Sequence, residues 1–185
     1  MQSVCVYCGS GPGKRPVYAA AARAFGAAAA ARGLRVIYGG ASVGLMGALA
    51  DAVLDAGGEV EGVIPRRLVE RELAHATLTR LHVVDSMLER KQLMASLSDA
   101  FVALPGGIGT LDELFETLTW TQLGIHAKPS GLLDVEGYWQ PLLALLERQV
   151  QEGFIRRPWQ ELLCVAAAPE ALLDRLAVLR PAPDR

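Results

Sequence analysis

An α/β fold, with a central parallel sheet covered by helices on both faces in three layers, is predicted by three features of this sequence. Short apolar runs alternate with longer amphipathic ones along the chain. Two of the short runs, Val36-Ile37-Tyr38 and Val102-Ala103-Leu104, are apolar without interruption, and glycine-rich stretches follow three of them. Strands alternating with helices of ordinary length specify βαβ units, whose crossover helices cover the sheet. Runs that are apolar on both alternating faces suit strands buried on both sides, so these two are expected near the middle of the sheet.

The elements follow in order. The first strand, residues 3–8, is rich in valine, cysteine and tyrosine, and an alanine-rich helix is expected over 17–32. Strand 34–38 and helix 45–56 come next, then strand 59–64. Residues 65–76 break the pattern with Arg66, Arg67, Glu70, Arg71, Glu72 and His75, and read as a polar loop or short helix over the rim of the sheet. Irregular insertions of this kind in compact domains often serve function. Strand 78–84, helix 86–97, strand 100–104 and helix 111–123 follow. Strand 130–133, helix 138–152, strand 162–165 and helix 169–179 complete the series. Residues 1–180 are expected to form one domain, with 181–185 a frayed tail.

Composition narrows the function. The 185 residues are 51% hydrophobic and 21% charged, enough apolar material for a sizeable core. A formal net charge of −2 supplies no basic stripe for a nucleic-acid backbone, so nucleic acid is not an expected partner. Arg23 and Arg32 interrupt the one stretch that approaches a membrane span. Residues 1–7 lack the pattern of a signal peptide, and three cysteines make an odd count, so reducing cytosol is the expected compartment. Cys5 and Cys8 have C-x-x-C spacing but fall on a strand, where positions three apart face opposite ways. They read as two small buried residues, since a redox pair belongs at a helix start.

In an open parallel sheet, ligands bind beyond the carboxyl ends of the strands, where the strand order reverses. Three glycine-rich loops leave strand ends here: Gly9-Ser10-Gly11-Pro12-Gly13, Gly39-Gly40-Ala41-Ser42-Val43-Gly44, and Pro105-Gly106-Gly107-Ile108-Gly109-Thr110. Glycine lets backbone N–H groups approach an anion, and a following helix adds roughly half a positive charge at its N-terminus. The second and third loops both run from strand to helix, and two such loops in one domain favour phosphate binding over mere turning of the chain. A dinucleotide is disfavoured, because Lys14 stands where the last glycine of G-x-G-x-x-G would fall and Tyr38-Gly39-Gly40 offers no acidic residue for a ribose. No G-x-x-x-x-G-K-[ST] is present. His75, His82 and His126 lie in separate segments, so no metal is expected, and no cofactor either.

Glu113 falls just after the third loop, where its carboxylate would lie beside a phosphate-anchored sugar. Thr110-Leu111-Asp112-Glu113 is equally a T-x-x-E capping box, in which the glutamate serves only the helix start. Glu116, one turn on, is a candidate second carboxylate or hydrogen-bonding partner. Arg90-Lys91 lies in the helix before strand 100–104. Such a pair is commonly a solvated face, with Glu89 as a counterion, although an arginine fork also suits an anionic or planar ligand.

Pro105-Gly106-Gly107-Ile108-Gly109-Thr110-Leu111-Asp112-Glu113, preceded by Met87-x-x-Arg90-Lys91, closely resembles the Lonely Guy family of cytokinin riboside 5′-monophosphate phosphoribohydrolases, formerly mislabelled lysine decarboxylases. The likeness extends from residues 4–10 through 38–47 to 119–126 and Gly137-Tyr138. It implies a Rossmann-like homodimer that cleaves nucleoside 5′-monophosphates, AMP or its N6-modified forms, to free base and ribose 5-phosphate. It further implies that Arg90 and Glu113 are the essential pair, that Lys91 and Gly106 to Thr110 bind the nucleotide, and that Glu72 and Thr119 touch it. Arg71-Glu72-Leu73 keeps the family's start but the sequence then departs from it, and Ile108 replaces a tyrosine usual in plant members.

A pyridoxal decarboxylase needs a Schiff-base lysine, and none of Lys14, Lys91 or Lys128 has a recognisable setting for one. The rival from another class is a nucleotide carrier without turnover, whose loops would look the same. Trp120, Leu123 and Ile125 are open to two readings, a partner surface or core.

Overall fold

The computed structural model describes residues 1–69 and 74–179. Seven strands form one sheet: β1 (Ser3–Tyr7), β2 (Arg35–Tyr38), β3 (Val60–Pro65), β4 (Arg80–Val84), β5 (Ala100–Ala103), β6 (Ser130–Leu133) and β7 (Leu163–Ala166). Their order is β4-β3-β2-β1-β5-β6-β7, and every pairing is parallel. The chain winds outward from β1 to β4, returns to the middle, and winds the other way from β5. The reversal therefore lies between β1 and β5, and the crevice expected for a ligand opens above their ends.

The helices are α1 (Pro16–Ala31), α2 (Gly44–Asp55), α3 (Arg66–Val69), α4 (Met87–Ser96), α5 (Ile108–Gln122), α6 (Gln140–Gln151) and α7 (Pro169–Val178), with 3-10 turns at Val135–Gly137 and Trp159–Glu161. Alternation along β1 divides the core in two. Val4 and Val6 face α1, α2 and α7, whereas Cys5 and Tyr7 face α4, α5 and α6. Cys5 and Cys8 accordingly point to opposite faces, both as free buried thiols. Large fully buried side chains such as Phe25, Ile37, Tyr38, Phe101 and Leu132 fill both halves, each contributing about 1.5–3 kcal/mol on burial.

The expected elements are all present, with shifted ends. The polar stretch after β3 does contain a short helix, α3, and its far end is tied down where Ala74 bridges Ala41 and the His75 N–H donates to the Gly40 carbonyl. Glu70, Arg71, Glu72 and Leu73 lie outside the described residues, as does the tail from residue 180. The third helix-forming loop closes earlier than expected: α5 begins at Ile108 with Gly107 as its N-cap, so Ile108, Gly109 and Thr110 form its first turn. The helix expected from residue 138 begins at Gln140, because Tyr138 closes the 3-10 turn and Trp139 is the N-cap of α6. No helix among the described residues is long and apolar enough to cross a membrane.

Candidate active site

The sheet brings two glycine-rich loops together directly. The Gly9 N–H donates to the Pro105 carbonyl at 3.1 Å, joining the ends of β1 and β5. On the other side of β1, the Leu45 N–H donates to the Gly9 carbonyl at 3.0 Å and holds the start of α2 against the same loop. Gly44 permits that approach: its φ is +61°, and an added Cβ would lie 2.2 Å from the Ser10 carbonyl oxygen. The Tyr38 hydroxyl donates to the Ala41 carbonyl, bracing the loop after β2.

Between these loops lies a cleft of about 330 Å³, the size of a small-ligand site. One wall is the first turn of α5, Ile108, Gly109 and Thr110, preceded by Gly107. The first N–H groups of an α-helix have no partner within the helix and carry its positive end, so this wall is suited to an anion. Ser10, Gly39, Met46 and Leu68 of α3 also line the cleft.

Arg90 and Glu113 form the floor. Arg90 projects from α4 at a core-facing position one turn before Met94, and Glu113 from α5 one turn before Thr117. Both are buried, with 8% exposure each. An Arg90 Nη1–H donates to Glu113 Oε1 at 2.8 Å, and the Nε–H donates to the Val63 carbonyl at 3.0 Å. Gly39 makes room for the guanidinium, since a Cβ there would stand 2.0 Å from Nη2. Burial raises the Glu113 pKa above the ordinary glutamate value, while the Arg90 charge and hydrogen bond pull it back without cancelling the rise.

This geometry excludes the capping-box reading of Thr110 to Glu113. Thr110 is already inside the helix, and the glutamate side chain is engaged by Arg90 across the helix pair. The reading of Arg90-Lys91 as a solvated face paired to Glu89 is corrected as well: the Glu89 carboxylate instead accepts the Asp85 N–H, and Ser86 caps α4 by accepting the Glu89 N–H. Lys91 binds Asp112 at 3.1 Å and Glu116 at 3.2 Å, clipping α4 to α5. Burial opposes its charge, but the two carboxylates outweigh burial and raise its pKa. Glu116 thus serves as a hydrogen-bonding partner.

Of the expected site residues, Gly39, Arg90, Gly107, Ile108, Gly109, Thr110 and Glu113 line the cleft. Pro105 and Gly106 lie just behind it and line a neighbouring cleft. Gly40, Ser42, Gly44, Lys91 and Thr119 do not line the first cleft. Gly40 and Gly44 shape its loops, and Thr119 is exposed on α5 with its hydroxyl donating to the Phe115 carbonyl. Glu72 lies outside the described residues. Cys8, Met46 and Leu68 line the cleft without having been anticipated. Cys8 and Met46 fall within segments that carry the family likeness but are neutral side chains with no chemistry to mark them, and Leu68 sits in the short helix after β3. Burial drives the Cys8 thiol pKa far above its ordinary value, which disfavours the thiolate that a nucleophile needs. Leu123 and Ile125 are 70% and 64% exposed, whereas Trp120 is partly buried against the core.

Comparisons with known proteins bear on the family and the fold. A family profile described as "Possible lysine decarboxylase" matches residues 46–176. The chain is 47% identical over 178 residues to the probable cytokinin riboside 5′-monophosphate phosphoribohydrolase LOGL2 of Oryza sativa subsp. japonica, covering 96% of this chain and 73% of that protein. It is 45% identical over 182 residues to the cytokinin riboside 5′-monophosphate phosphoribohydrolase LOG3 of Arabidopsis thaliana, covering 98% of this chain and 85% of that one. Among solved structures, the molybdenum cofactor binding protein of Rippkaea orientalis superposes with a TM-score of 0.72 at 22% identity, covering 95% of this chain and 94% of that chain. That likeness is one of fold.

Proposed function

The chain belongs to the Lonely Guy family of phosphoribohydrolases, and from that premise we propose that it hydrolyses the N-glycosidic bond of cytokinin riboside 5′-monophosphates, AMP, or both, releasing an adenine-type base and ribose 5-phosphate. The observation that carries the proposal is the buried Arg90–Glu113 pair at the floor of a cleft walled by a helix N-terminus. The backbone N–H groups of Gly107 to Thr110 hold the 5′-phosphate. That anchor sets C1′ of the ribose beside Glu113.

As the bond to the base lengthens, positive charge develops on the sugar, as in glycoside cleavage. The Glu113 carboxylate stabilises that charge and orients the water whose oxygen bonds to C1′, while the electron pair of the broken bond leaves with the base. The departing nitrogen gains a proton, so that water is added across the bond. Arg90 favours the ionised form of Glu113 against the effect of burial, and aims it. Together with the Nε–H bond to Val63, it holds the carboxylate in place before substrate arrives. Charged groups fixed in advance where charge will develop account for much of the rate enhancement in many enzymes.

Decarboxylation by a pyridoxal Schiff base is disfavoured by the residues themselves. Lys91 is committed to Asp112 and Glu116, Lys128 donates to the Ala95 carbonyl, and no lysine lines the cleft among the described residues. The unit of function is residues 1–180, acting as a homodimer in the cytosol, with nucleotide as its ligand. The exposed Leu123 and Ile125 at the end of α5 support the dimer.

Purified protein incubated with AMP, followed by chromatography, tests the proposal. Adenine and ribose 5-phosphate are expected, and Glu113→Gln should lower the rate by about a hundredfold or more. Binding of AMP with no release of adenine would make the protein a carrier instead. A Glu113→Gln variant as fast as the native protein would remove the catalytic assignment.

A further inference from the structure

The peptide that joins Gly106 to Gly107 separates two clefts. One is the candidate active site. The other, also about 330 Å³, is lined by Gly106, Gly107, Tyr18 and Tyr138. The Tyr138 hydroxyl donates to the Gly106 carbonyl at 2.6 Å. No part of the reaction requires that side chain to touch substrate, yet the chain takes an unusual path to deliver it.

Glu136 and Gly137 both adopt left-handed backbone, with φ of +49° and +77°. That region is uncommon for a residue with a side chain and is kept only where the surroundings enforce it. Here they do. Arg15 pairs with the Glu136 carboxylate. Asp134 accepts the Trp139 N–H at 2.8 Å and the Gln140 side-chain amide at 2.6 Å, and Trp139 is buried. The Tyr138 ring then stands edge-on to Tyr18, centroids 5.6 Å apart, with its hydroxyl at Gly106.

A trans peptide is planar, and its C=O and N–H point in opposite directions. A carbonyl of Gly106 held toward Tyr138 therefore turns the N–H of Gly107 away from Tyr138, and Gly107 also lines the first cleft. The flanking Pro105 and Gly107 carbonyls are themselves bonded, but with glycine on both sides the peptide between them would rotate more easily without that hold and would present its donor for only part of the time.

We propose that Tyr138 is a positioning residue for the hydrolase reaction, which fixes the Gly106–Gly107 peptide so that the Gly107 N–H is presented to the 5′-phosphate of the substrate. The inference rests on the phosphate reading given under Proposed function. It predicts a signature confined to phosphate. Tyr138→Phe keeps the ring contacts and removes only the hydroxyl. It should raise both the KM for AMP and the inhibition constant of inorganic phosphate about fivefold to tenfold, the scale of one hydrogen bond, while kcat stays within about twofold, as for an interaction made equally before and in the transition state.

Steady-state kinetics with AMP, phosphate inhibition and the thermal unfolding midpoint are measured for both proteins. For a variant with a lowered midpoint, the Gly107 amide resonance is followed during phosphate titration, and its response should weaken relative to the native protein. An unchanged phosphate constant, or a fall in kcat with KM unchanged, overturns the role of Tyr138 and leaves the hydrolase reading standing. If native protein neither releases adenine from AMP nor responds to phosphate, that reading falls and takes this one with it.

Discussion

Gly39→Ala would move catalysis through a single methyl group. The backbone at Gly39 is outside the left-handed region, so alanine is tolerated there by φ, and such a change would ordinarily stabilise by about 0.4–1 kcal/mol through the unfolded chain. The obstacle is contact. The new Cβ would lie 2.0 Å from Arg90 Nη2 and 2.9 Å from Met46 Sδ, where ordinary contacts begin at 3.4 Å. The guanidinium must withdraw by more than an ångström, yet it is held by bonds of 2.8 Å to Glu113 and 3.0 Å to the Val63 carbonyl, and neither survives that shift. Misplacing a catalytic group by about 1 Å can cost about a hundredfold in rate. Disrupting a buried, hydrogen-bonded ion pair should also outweigh the gain in the unfolded state, leaving a net loss of about 1–3 kcal/mol. Adenine release from AMP and thermal unfolding read the two effects. A variant with native kcat/KM and an undiminished unfolding midpoint would show that Arg90 is neither confined nor required.

The raised pKa of Glu113 sets the acid side of the pH profile. The carboxylate is the active form, and burial makes it protonate at a higher pH than an exposed glutamate, so the fall of kcat/KM on acidification should be centred above the ordinary value of 4.5. A midpoint at or below that value would refute the assignment. Gly44→Ala combines a φ of +61° with a backbone clash at Ser10, so stability should fall by at least about 1–3 kcal/mol in denaturant titration; an unchanged midpoint would show that the loop gives way freely. Sedimentation should find a dimer, converted to monomer by Leu123→Asp with Ile125→Asp. A native monomer would remove the assembly.

The linear pattern of the chain determined a good deal by itself. Strand and helix order follow from local hydrophobic period, and the three loops from their glycine content at strand ends, because each depends only on neighbours a few residues apart. Arg90 and Glu113 are singled out by the family resemblance and not by period, which leaves one as a solvated face and the other as a cap; the fold buries them beside Met94 and Thr117. Charged residues are buried only when partnered.

Local period does not say who the partner is. Arg90 meets Glu113 because the order of strands sets α4 beside α5, and Gly39 meets Arg90 because β2 ends above the same floor. The start of α5 was ambiguous for a related reason. Thr110 to Glu113 has the composition of a cap, yet the helix starts at Ile108, with the Leu111 N–H donating to the Gly107 carbonyl. Tyr138 reaches Gly106 from 32 positions away through a turn that local propensity opposes. Contacts between distant segments depend on the closure of the whole sheet, and only the folded chain contains that information.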